Sequence, residues 1–192
     1  MGSGFAGLVM LALAAGGTVE TRGGQPPAFV PLGEVADAPR GFVQMCRADP
    51  PNCANGTALG PADPPSRRLV EHVNTYVNRR TLQRSDIVTY GVDELWRAAG
   101  AGTGAVGDCE DLALEKRRVL LVAGVSPDRL MLAAVYVRGQ GLHSVLVARL
   151  PDGDYVLDSL RGSVERWDRL GYHWLRVQSP GDPMQWRRLA DG

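Results

Sequence analysis

The chain lacks an excess of charge of either sign: 21 basic and 21 acidic side chains cancel over 192 residues. With no net field and no basic block there is no track for a phosphate backbone, which argues against nucleic acid as a partner. It also lacks a long apolar run. Residues 4–17 are apolar and small, but a membrane span needs roughly 20 residues. The run fits the core of a secretory signal, with Ala12-Leu13-Ala14 as a small-residue cleavage site, although no Lys or Arg precedes it. Residues 1–17 are therefore expected to be a signal peptide. Residues 18–40, with Gly23-Gly24, Pro26-Pro27, Pro31 and Pro39, read as a linker, and 41–192 as one domain. Cysteine is scarce too. In an oxidising compartment, Cys46 and Cys53 close a short loop and leave Cys109 as the odd thiol. The alternative is that both are buried free thiols. No further Cys/His pair offers zinc-ligand spacing. The glycine-rich AGAGTGAVG (99–107 region) has no Lys-Ser/Thr and reads as a connector, not a phosphate loop.

What is present is a change of period along the chain. Residues 65–80 carry Leu69, Val70, Val73 and Val77 at helical spacing behind Pro65-Ser66. Ile87 to Tyr90 reads as a short extended run, and Asp93 as the cap of a short helix through Trp96. A further helix is expected from Asp108 to Gly124, with Asp108 as N-cap and Asp111 as its capping-box partner. Three strands follow at 130–138, 143–150 and 155–159, separated by Gly139-Gln140-Gly141 and Pro151-Asp152-Gly153. A fourth is expected at 172–178. Helices first and an antiparallel sheet second make an α+β domain. Of the late tryptophans, Trp167 and Trp174 are the expected core residues, ahead of Trp186.

The segment Gly107-Asp108-Cys109-Glu110-Asp111 puts a thiol in the first turn of a helix, where unpaired N–H groups favour a thiolate. His143 opens one strand and Asp158 ends the next. The turn near residue 152 brings these two to nearly opposite positions in a hairpin. Cys109 as nucleophile, His143 as base and Asp158 as the acid that orients it satisfy the needs of acyl transfer. The plainer alternative is a buried helix cysteine and an ordinary strand-end aspartate. The three neighbouring carboxylates oppose a thiolate. Helix capping accounts for them at about 0.3–1 kcal/mol each; a bound Ca²⁺ accounts for them as hard oxygen ligands.

The ordered set FVQMCRADPPNC, VNTYVNRR, DIVTYGVDELW, GDCEDLALEK, LHSVLV and YVLDSL resembles the bacterial transglutaminase-like cysteine proteinases over residues 40–178. The resemblance implies a papain/transglutaminase-like fold, with N-terminal helices and the nucleophile at a helix start packed on an antiparallel sheet. It implies Cys109, His143 and Asp158 as catalytic residues. It also implies calcium dependence, with Asp108 and Glu110 as ligands; Asp128, in the turn after the helix, is added as a geometric candidate. A periplasmic endopeptidase of this kind cuts a large secreted adhesin near its membrane-retained end, under the control of an inner-membrane receptor. One departure stands out. Trp96 is followed by Arg97-Ala98-Ala99-Gly100, where the family often has a Pro and a Glu. Two other readings stay open, a transglutaminase-type acyltransferase and a non-catalytic binding module of the same fold.

Overall fold

The computed structural model describes residues 1–2, 28–53 and 64–190. The expected signal segment, beyond its first two residues, and the linker up to residue 27 lie outside the described residues. Strand β1 (Leu32–Ala36) is followed by helices α1 (Arg40–Ala48) and α2 (Arg67–Arg80), the short β2 (Leu82–Gln83), α3 (Asp86–Tyr90) and the short β3 (Val106–Gly107). Helix α4 (Cys109–Val122) comes next. It leads into β4 (Leu130–Val137), β5 (Gly141–Leu150), β6 (Gly153–Leu157), β7 (Glu165–Arg166), β8 (His173–Ser179) and β9 (Asp182–Leu189). Among the described residues, seven strands form one sheet in the order β1-β9-β8-β4-β5-β6-β7. Every pairing in it is antiparallel.

The expected α+β layout is present, and the apolar runs explain it. In β4, Leu130 and Leu132 face a core shared with the helices, while Met131, Ala133 and Val135 face a second core on the other side. A strand covered on both faces needs no alternation, which is why its sequence reads as continuous apolar residues. Helix α4 is the central helix: residues 110–117 are buried on every side, charged ones included. Cys46 and Cys53 are joined in a disulfide. It ties α1 to the short 3₁₀ turn Pro50–Cys53.

Several expectations fail for identifiable reasons. The stretch expected as linker contains β1, which pairs with β9, so the folded domain begins before residue 41. Residues 86–90 are helical, not extended: Ser85 holds the N-cap position, and Gly91, with φ 72°, ends the turn. The side chains of Ile87 and Val88 are exposed, so no sheet claims them. No helix forms after Asp93, because the carboxylates of Asp86 and Asp111 take the N–H groups of Leu95 and Arg97. Trp186 is fully buried against Phe42, whereas Trp167 and Trp174 are only partly buried and meet edge to face. The expected fourth strand is β8. It pairs with β4 and not with the preceding strand, so the sheet extends beyond the simple meander.

Candidate active site

Cys109 is the first residue of α4. The structure brings it next to the start of β5: the Ser144 N–H reaches the Cys109 Sγ at 3.4 Å. Ser144 follows His143, and both line one cleft of about 710 Å³ with Cys109, Asp108, Glu110 and Trp96. His143 Nε2 lies 2.7 Å from Asp158 Oδ1. The register explains this contact. Leu146 pairs with Leu157, so Asp158 falls across from Val145, a diagonal neighbour of His143 on the same side of the pleat.

Asp158 is 1% exposed and well satisfied. Besides His143 it accepts the Leu160 N–H at 2.8 Å and the Tyr172 hydroxyl at 2.5 Å. Burial alone would raise its pKa, but the donors from His143, Tyr172 and Leu160 outweigh that and hold it below the ordinary carboxylate value. The loop after Asp158 is fixed from α2. The Asn78 amide donates to the carbonyls of Asp158 (2.8 Å) and Arg161 (3.0 Å), and the buried Asn74 amide donates to Arg161 (3.0 Å). Both asparagines lie on one face of α2, a helical turn apart.

Lys116, the chain's single lysine, is 1% exposed on the same helix as Cys109, two turns on. Burial pushes its amine down to about 7, against the opposing pull of Asp158. It has no sequence signature beyond its place on the apolar face.

The acidic residues around Cys109 do different things. Asp108 occupies the N-cap position of α4 but makes no side-chain cap bond; its Oδ2 accepts the Asp86 N–H at 3.3 Å. Asp111 is not a capping-box partner. Its Oδ1 accepts the Arg97 N–H at 2.8 Å, which pins the segment after Trp96 to α4. Gly107 permits this, because a Cβ there would come within 2.6 Å of Asp111 Cβ. The Arg97-Ala98-Ala99-Gly100 departure thus has a structural use. Ala99 N–H also bonds the Asp111 carbonyl, and the Arg97 guanidinium stacks on Tyr90 at 4.6 Å. Gly41 matters in the same way: any Cβ on it would meet the Trp96 ring at 2.4 Å. That ring is anchored by its Nε1–H to Glu94 at 2.7 Å.

Asp86, Asp108 and Glu110 form the acidic cluster, one oxygen from each lying within 4.8 Å of the others. The Oδ1 atoms of Asp86 and Asp108 are buried without a hydrogen-bond partner. Buried orphan carboxylate oxygens are costly, and a hard cation satisfies them. The donor set therefore fits Ca²⁺. Asp128 does not belong to it. It sits in the 3₁₀ turn Pro127–Arg129 beyond the far end of α4, a helix roughly 20 Å long, where it bonds Ser126. Asp86 takes its place; the extended reading of residues 87–90 had hidden this residue. Burial pushes Glu110 up to about 8 and Asp111 up to about 7. Burial also pushes the Cys109 thiol above its ordinary range, with Glu110 adding to the rise, and the thiol points at Glu110 Oε2, 3.1 Å away.

Comparison with known proteins fits this geometry. The family described as bacterial transglutaminase-like cysteine proteinase BTLCP matches residues 32–192. Among solved structures, calcium-bound LapG of Legionella pneumophila is similar at 25% identity and a TM-score of 0.50, over 59% of this chain and 65% of that one. A second structure of Legionella pneumophila LapG gives the same identity and TM-score over 59% and 63%. The chain thus covers just under two thirds of the length of these LapG chains. No curated protein matches. The chain belongs to the bacterial transglutaminase-like cysteine proteinases.

Proposed function

We propose that the protein is a periplasmic, calcium-dependent cysteine endopeptidase that cuts a large secreted adhesin. The observation that carries this reading is the juxtaposition of Cys109 Sγ with the backbone following His143, and of His143 with the Asp158 carboxylate. Because Nε2 faces Asp158, Nδ1 is the nitrogen left to exchange a proton with Cys109. The thiol proton passes to His143 as Sγ bonds the peptide carbonyl carbon. The C–N bond then breaks, and His143 gives that proton to the leaving amine. Water, deprotonated by His143, splits the thioester and frees Cys109. The first-turn N–H groups of α4 supply hydrogen bonds for the oxyanion.

Asp86, Asp108 and Glu110 would hold the calcium ion, whose positive charge offsets the carboxylates crowding the thiol. LapG, to which the chain is similar, is known in a calcium-bound form. Adhesin as substrate, an inner-membrane receptor as regulator and the periplasm as location rest on the family resemblance alone.

The test is cleavage of the N-terminal region of a large repeat-rich secreted adhesin, in ¹⁸O-labelled water. The reading expects two fragments with ¹⁸O at the new carboxylate, and none with Cys109→Ala. Cleavage by Cys109→Ala would end it. An amine-linked product without ¹⁸O would turn it to acyl transfer.

A further inference from the structure

Two of the three donors on Asp158 come from its own neighbourhood: His143 from the adjoining strand and Leu160 from two residues along. The third does not. Tyr172 lies just before β8, and β4 and β5 separate β8 from β6 in the sheet. Its hydroxyl reaches Asp158 Oδ2 at 2.5 Å. Arg161 Nε donates to that same hydroxyl at 2.9 Å, and its guanidinium lies 5.6 Å from the ring centre. Arginine has donors only, so the tyrosine oxygen must accept from Arg161 and its single proton must go to Asp158. The direction of the bond is therefore determined. Arg161 in turn is held through its carbonyl by Asn74 and Asn78.

We propose that Tyr172 is a positioning residue, which with Arg161 behind it locks the Asp158 carboxylate so that Oδ1 stays on His143. This rests on the proposed role of His143. With Oδ2 unbound, the carboxylate turns within its pocket and shares its two oxygens between His143 and the Leu160 N–H. The imidazole then loses its fixed orientation toward Cys109. The phenol acts only through Asp158.

The test uses the full chain with calcium present. Two quantities are read: the rate of iodoacetamide alkylation of Cys109 at neutral pH, and the downfield NMR resonance of the His143 Nε2–H. Cys109 is the one free thiol, since the other two cysteines are paired. Tyr172→Phe keeps the ring and its stacking with Arg161. It is expected to slow alkylation roughly 10-fold, the size of effect seen when an outer-shell partner of a ligating histidine is lost. The Nε2–H resonance is expected to be visible in the parent and to vanish through exchange in the variant. Arg161→Met, on the exposed side of the pair, gives a smaller fall in the same direction. Parent rates and an intact resonance in both variants overturn the positioning role. If alkylation depends on His143 but ignores Tyr172, only this inference fails. If His143→Ala alkylates at the parent rate, the proposed function fails with it.

Discussion

Replacing Lys116 by Met should stabilise the protein at neutral pH. The side chain is 1% exposed, and burial pushes its amine from 10.5 down to about 7. Each unit of such a shift is worth about 1.4 kcal/mol. Between pH 7 and about 10 the unfolded chain holds a proton on this amine that the folded one does not, so stability rises with pH across that window. The displacement corresponds to about 4–5 kcal/mol of destabilisation at pH 7, which disappears once the unfolded amine is also neutral. Methionine has nearly the same length and needs no solvation. Asp158, which Lys116 attracts, keeps its three hydrogen-bond donors. Urea unfolding of parent and Lys116→Met at pH 7, 8.5 and 10 measures the difference directly. It should favour the variant by a few kcal/mol at pH 7 and shrink toward zero by pH 10. A difference independent of pH, or a variant less stable at pH 7, would refute the assignment of a strained, buried amine.

Calcium at 100 times its Kd should stabilise the parent by about 2.7 kcal/mol. Thermal melts should show that Asp86→Asn loses most of this gain while Asp128→Asn retains it; equal losses would contradict the site. In chelator, Glu110 and Asp111 hold protons in the folded state that the unfolded chain releases near pH 4. Their contribution is complete below that pH and drains away as pH rises through 7 to 8, so the urea midpoint should be lower at pH 7 than at pH 5. Asn74→Ala removes one of the two amide donors on the Arg161 carbonyl, with Asn78 still in place, and should cost about 0.5–1.5 kcal/mol by thermal unfolding.

The long elements were legible in the sequence because their signals are periodic and local. Helix α2 shows its apolar spacing behind Ser66, and the hairpins are marked by their turns. Cys109, His143 and Asp158 were legible for the same reason: one lies at a helix start, and the other two are related by a hairpin register. What could not be read depends on contacts between distant segments. Asp86 joins the acidic cluster only because residues 86–90 coil into one helical turn, and their β-branched composition argues for a strand. Asp111 looks like a capping residue until the segment after Trp96 folds over it and offers the Arg97 N–H. Tyr172 reaches Asp158 across a sheet order that places β8 beside β4, and no local pattern encodes that. Strand β1 is short and flanked by prolines, and only its pairing with β9 distinguishes it from a linker.

The central claim is that Cys109, paired with His143, forms a covalent acyl-enzyme. Acid-quenched intact-mass spectrometry during turnover of the adhesin fragment tests it most directly. The account predicts an adduct of the N-terminal cleavage product on Cys109, released by hydroxylamine as a thioester is and absent from Cys109→Ala and His143→Ala. Cleavage that continues in Cys109→Ala, with no adduct in the parent, would contradict it.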